Sequence, residues 1–132
     1  MAPASGYASI QVDSLTPHIG AQVSGVNLDE ELSNEQFSDL YQAWLDWKVL
    51  VFRDQHLDAE QHKAFARRFG TLHEHPMQHS YGGDPEILRV KTTKDSKYTA
   101  GNGWHTDVTC DEIPPMASAL YIKETPEHGG GD

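Results

Sequence analysis

With 132 residues, 37% of them hydrophobic and 9% aromatic, the chain has the material for one core and hardly for two, and is too apolar for a disordered tail. Ten Lys and Arg against twenty Asp and Glu give a formal charge of -10, which argues against nucleic acid or any polyphosphate held by bulk attraction. No apolar run approaches the ~20 residues of a membrane-spanning helix, the opening MAPASGYASIQ lacks the basic and apolar regions of a secretory signal, and the single cysteine, Cys110, cannot close an internal disulfide, so a cytoplasmic location is expected.

The first seven residues are small and polar and are expected to fray. Ile10 and Val12 alternate with polar neighbours, as do Ile19, Ala21 and Val23 in HIGAQVSGV; both runs read as short, half-buried strands. Gly20 and Gly25 mark bends. Ser33 with Gln36 has the spacing of a capping box and opens a helix whose Phe37, Leu40, Tyr41, Trp44 and Leu45 form one apolar stripe. That stripe is expected to be core, with Asp39 and Asp46 on the solvent side. Val49–Phe52 is a continuous apolar run, the pattern of a buried strand. Asp58 with Gln61 repeats the capping spacing before a second helix reaching Phe69, with Phe65 and Phe69 on one face. Beyond Gly70 the pattern changes to loops: residues 73–85 carry three His, two Pro and two Gly, and residues 92–103 are polar. Strands are expected at Ile87–Val90 and Ala117–Ile122. Strands, two helices, then strands and long loops indicate a β-rich or α+β domain.

Eight histidines in 132 residues call for a reason. On a strand, residues i and i+2 point to the same face, so His105 and Asp107 in Trp104-His105-Thr106-Asp107 could present an imidazole nitrogen and a carboxylate oxygen together. These are two of the three ligands of a facial triad for Fe(II), which leaves the opposite face open. A solvated pair is the bland alternative. His73, His75 and His79 offer a rival zinc site, with Pro76 against it. A Cys110–His105 nucleophile lacks an orienting group and an oxyanion hole. Gly129-Gly130-Gly131 lacks the Lys-Ser/Thr and helix of a phosphate loop.

Three runs carry a family resemblance: HIGAQVSGVNL, LVFRDQHLDAEQHKAFARRFGTLHEHP and WHTDVTCDEIPPMASALYIKETPEHGGGD. In this order they resemble the taurine dioxygenase (TauD/TfdA-like) family of Fe(II)- and 2-oxoglutarate-dependent dioxygenases, from about His18 to Asp132. The resemblance implies a double-stranded β-helix, or jelly roll, with N-terminal helices. Residues 1–132 would be the N-terminal part of one such domain, incomplete in this chain. It implies iron and 2-oxoglutarate, O2 and a small anionic substrate such as a sulfonate, alkyl sulfate or carboxylate, with a homo-oligomer compatible and neither nucleic acid nor membrane as partner.

Residue by residue, His105 and Asp107 match the first two iron ligands. His75 matches a residue that contacts the taurine sulfonate, and Val108 matches a pocket-wall position. Gln78 stands where the taurine enzymes have Tyr, and Gly101, beside Asn102, where they have Asn; all three are expected to bind substrate. The family's second iron His and its 2-oxoglutarate-binding Arg and Thr correspond to positions beyond Asp132, so the 132-residue chain alone is expected to be inactive. The other expectations from sequence are a catalytically incomplete binding module, or a zinc hydrolase built on His73 and His75.

Overall fold

The computed structural model describes residues 6–74, 83–97, 101 and 103–128. The chain divides into two compact units, residues 1–71 and 72–132.

In the first unit, strand β1 (Gln11–Ser14), strand β2 (Ala21–Ser24) and strand β3 (Leu50–Phe52) form a sheet in the order β1-β2-β3. The β1–β2 pair is antiparallel, with Val12 opposite Val23, and β2–β3 is parallel, with Ala21 opposite Leu50. Antiparallel neighbours can be joined by a tight turn, whereas parallel ones need a crossover. The crossover here contains helix α1 (Asn34–Trp47). As the central strand, β2 buries Ala21 and Val23 while Gln22 and Ser24 are half-buried, the period of two that a sheet imposes.

Two expected strands are shorter than their hydrophobic patterns. Ile19 belongs to the turn: its N–H donates to Thr16 Oγ1 at 3.1 Å, and Gly20 at φ +92° redirects the chain before pairing begins. That leaves the Ile19 side chain exposed. Val49, expected in a buried strand, is also exposed, and Leu50–Phe52 are half-buried. Among the described residues β3 pairs with β2 alone, and an edge strand has fewer neighbours to cover it.

Both capping boxes form. Ser33 Oγ accepts from Gln36 N–H at 3.1 Å while Gln36 Oε1 accepts from Ser33 N–H at 3.1 Å. Asp58 and Gln61 do the same at 2.8 and 2.9 Å, opening helix α2 (Ala59–Arg67). Helix α2 ends two residues before the expected Phe69. Arg68 and Phe69 donate to the carbonyls three residues back, at 3.1 and 3.0 Å, so the last turn tightens out of α geometry.

The apolar stripe of α1 is rotated from expectation. Leu40, Ala43 and Trp47 are the buried residues, whereas Tyr41 and Leu45 are exposed. The helix has two apolar surroundings to satisfy. Its buried line serves the core, while Phe37, Tyr41 and Trp44 stack around Phe69, with centroids 5.0, 6.2 and 5.9 Å from that ring. Arg68 adds a guanidinium 4.5 Å from the Phe37 ring centre and an Nη1 bond to the Leu32 carbonyl at 2.9 Å. The supposed solvent side is used as well. Asp39 Oδ2 accepts from the N–H and hydroxyl of Ser9 at 2.8 and 2.7 Å, and Asp46 Oδ2 accepts from the Tyr7 hydroxyl at 2.8 Å. The segment preceding β1 is thereby strapped to α1.

The described residues of the second unit are organised by turns. Ile87 N–H closes on the Asp84 carbonyl at 3.2 Å, Ser96 N–H on Thr93 at 3.0 Å and Asp111 N–H on Val108 at 3.2 Å. The strands expected at Ile87–Val90 and Ala117–Ile122 are not formed among the described residues. A strand exists through bonds to a neighbour, and hydrophobic pattern alone does not supply one. Val90, Leu120 and Ile122 stay exposed. The β-rich character is therefore realised in the first unit as a small mixed sheet beside two helices. A closed jelly roll is not formed by the described residues.

Candidate metal centre

The site lies in the second unit, on a loop that starts at Gly101. This glycine has φ +83°, and a Cβ built on it would lie 3.7 Å from His105 Cε1. The backbone thus passes close beside the imidazole in a conformation that glycine takes without a steric penalty.

Two residues on, the Gly103 carbonyl lies 2.7 Å from His105 Nδ1. A carbonyl only accepts, so Nδ1 carries a proton, and in the neutral ring Nε2 presents its lone pair. That lone pair faces Asp107: Nε2 lies 3.5 Å from Oδ1. The other carboxylate oxygen, Oδ2, accepts from the Ser118 hydroxyl at 3.1 Å. Sequence spacing put His105 and Asp107 on one strand face. The backbone is not a strand there, yet the two side chains converge.

Two electron-pair donors facing each other at this separation favour a cation between them. Bonds of about 2.0–2.2 Å from nitrogen and oxygen donors let one ion reach both across 3.5 Å. The outward atoms of both groups are held by hydrogen bonds, as metal ligands usually are. The donor set, one imidazole and one carboxylate, suits Fe(II) and other borderline divalent ions. The pair fits a metal, although no group of three His, Cys, Asp or Glu that could hold one is present among the described residues. Both side chains are more than half exposed, at 57% and 64%.

Val108 follows the pair directly, half-buried, with φ +53°. Positive φ is uncommon for any residue with a Cβ and is an outlier for a β-branched one. Thr106 and Thr109 link hydroxyls at 2.6 Å across the same turn.

Of the three histidines in the zinc reading, His73 alone lies among the described residues, and His79 lies outside them. The Nε2 of His73 lies 2.8 Å from Asp111 Oδ2, both side chains being about one-third exposed. His75, Gln78 and Asn102 lie outside the described residues. Cys110 is exposed. Three partners were not anticipated from sequence: Gly103, Ser118 and Asp111. A backbone carbonyl has no residue signature. Ser118 and Asp111 become visible only once the chain has folded back over 11 and 38 positions.

Comparison with known proteins gives a consistent result. The model of the family described as taurine catabolism dioxygenase TauD, TfdA family, matches residues 11–132. An alkylsulfatase of Acinetobacter baylyi is 36% identical over 122 residues, covering 92% of this chain and 38% of that protein. The (S)-phenoxypropionate/alpha-ketoglutarate-dioxygenase of Sphingobium herbicidovorans is 37% identical over 125 residues, covering 92% and 43%. The crystal structure of a taurine dioxygenase from Burkholderia xenovorans superposes with a TM-score of 0.63 at 35% identity, covering 82% of this chain and 38% of that one. The chain thus spans about two-fifths of the length of the relatives it matches.

Proposed function

Because the chain belongs to the TauD, TfdA family, we propose that the protein is an Fe(II)- and 2-oxoglutarate-dependent dioxygenase in which His105 and Asp107 supply two of three iron ligands. The observation that carries this reading is the facing of His105 Nε2 and Asp107 Oδ1 at 3.5 Å. Residues 1–132 belong, on this reading, to the N-terminal part of a single jelly-roll domain. The substrate is a small organic anion. The similar proteins named above act, by their names, on alkyl sulfates, an aryloxy acid and taurine, which share a compact anionic head.

Iron and 2-oxoglutarate, when bound, supply the oxidising power: one oxygen atom of O2 goes to the substrate and the other to succinate as CO2 leaves. The chain's own residues set the stage for this. The Gly103 carbonyl keeps the proton of His105 on Nδ1 and the Nε2 lone pair turned toward Asp107. Asp107 contributes the compensating negative charge. One nitrogen and one oxygen ligand leave positions for co-substrate and O2. On the family resemblance, Val108 and Gly101 contribute to substrate binding, as do Gln78 and Asn102. His75, whose ring N–H can donate a hydrogen bond, is assigned to the anionic head.

The test is turnover of 2-oxoglutarate to succinate by the full-length protein with Fe(II), O2 and a panel of alkylsulfonates, alkyl sulfates and aryloxy acids. His105→Ala and Asp107→Ala are each expected to abolish it. Full turnover by either variant refutes the assignment.

A further inference from the structure

Ser118 is not among the residues that the resemblance marks, and nothing in its surrounding sequence, Pro115-Met116-Ala117-Ser118-Ala119, singles it out. Yet its hydroxyl donates to Asp107 Oδ2 at 3.1 Å while Oδ1 of the same carboxylate faces His105 Nε2 at 3.5 Å. The two oxygens of Asp107 are therefore inequivalent before any ion arrives. We propose that Ser118 is a positioning residue for the metal centre, holding Asp107 so that it binds iron through Oδ1 alone. This inference rests on the proposed function.

The physical argument concerns how many positions the carboxylate occupies. An ionised carboxylate has about four lone-pair sites on two oxygens and can take a cation with one oxygen or both. Binding through both consumes a second place on the ion. A centre that must also admit a chelating co-substrate and O2 has no place to spare. A hydroxyl donating to Oδ2 engages that oxygen and fixes the carboxylate plane, which favours single-oxygen binding through Oδ1. His105 is fixed in the corresponding way through Nδ1 and the Gly103 carbonyl. One ligand is thus oriented by its own local backbone, the other by a side chain 11 residues further along the chain. Such outer partners commonly alter metal affinity by about 10–100-fold when removed.

The experiment compares Ser118→Thr with Ser118→Val in the full-length protein. The two side chains have nearly the same shape, and only threonine retains the hydroxyl. The readout is the Kd for Mn(II), used as a redox-stable probe and measured from the free-ion electron paramagnetic resonance signal, with circular dichroism confirming the fold. Ser118→Val is expected to raise Kd by about 10-fold or more, with Ser118→Thr staying near wild type. Equal Kd values for Val and wild type overturn the positioning role, as does an equal loss in Thr and Val. Asp107→Ala is the control for the underlying reading: an unchanged Kd there removes Asp107 from the metal site and defeats the proposed function itself. A Kd lost in Asp107→Ala and unchanged in Ser118→Val defeats this inference alone.

Discussion

His73 Nε2 lies 2.8 Å from Asp111 Oδ2, joining positions 38 residues apart within the second unit. This contact ties the segment leading toward His75 to the turn that follows Asp107. Each side chain is about one-third exposed, so solvent screens the pair and its energy is modest. A double-mutant cycle with His73→Ala and Asp111→Ala is expected to give a coupling of about 0.2–1 kcal/mol. A coupling of zero would mean that the contact contributes nothing to holding the loops.

Gly101 is the second sensitive position. At φ +83°, with a Cβ position 3.7 Å from His105 Cε1, alanine meets ordinary contact with the ring but an unfavourable backbone. Left-handed conformations cost non-glycine residues about 1–2 kcal/mol. Gly101→Ala is expected to lose stability of that order and to weaken Mn(II) binding, because the relaxing loop carries His105 with it. Denaturant titration alongside metal titration checks both. Wild-type values in the two measurements would exclude a role for the glycine conformation.

The strap before β1 makes stability depend on pH at both extremes. Burial, together with the hydrogen bond to Asp46 and its negative charge, pushes the Tyr7 hydroxyl from 10.0 up to about 12. A raised folded-state pKa stabilises fully below the unfolded value and is lost as pH climbs through the folded one. The contribution is therefore present below pH 10 and disappears between about 10 and 12. The hydrogen bond from the Ser9 hydroxyl, followed by that from its N–H, lowers the pKa of Asp39. That contribution is present above the ordinary carboxylate range and is lost as pH falls through the lowered value. Tyr7→Phe is expected to flatten the alkaline slope selectively, and Ser9→Ala to weaken the acid one. Identical pH–stability curves for all three proteins contradict the strap.

Helix capping gives a prediction independent of the site. Ser33→Ala and Asp58→Ala each remove the side-chain acceptor of a capping box, leaving the Gln36 or Gln61 N–H without that bond, and should cost about 1 kcal/mol. Ser33→Asp keeps an acceptor oxygen and adds a charge that the helix N-terminus favours, so it should restore most of the loss. Chemical denaturation of the four proteins measures the series.

Local chemistry was the legible part of the sequence. Ser33-x-x-Gln36 and Asp58-x-x-Gln61 announced their helices because a capping box is closed within four residues. His105 and Asp107 were legible as a pair for the same reason, although strand geometry was the wrong route to their meeting. What was not legible was settled by distant neighbours. The buried face of α1 turned on Phe69 as well as on the core, so five apolar residues did not share one environment. Ile87–Val90 and Ala117–Ile122 had strand composition, but pairing belongs to two segments and cannot be read from one. Ser118 and Asp111 are ordinary polar residues until the loops around Asp107 close on them.

Val108 at φ +53° offers a clean separation of two roles. Valine there carries backbone strain of about 1–2 kcal/mol. Val108→Gly relieves that strain while enlarging the conformational freedom of the unfolded chain by a comparable amount. The two changes oppose each other, so the substitution should be nearly silent in folding and remove little except an isopropyl group beside Asp107. If Val108 lines the substrate pocket of the proposed function, a change in substrate preference produced by Val108→Gly would report on the shape of that pocket, since the scaffold beneath it is left as it was.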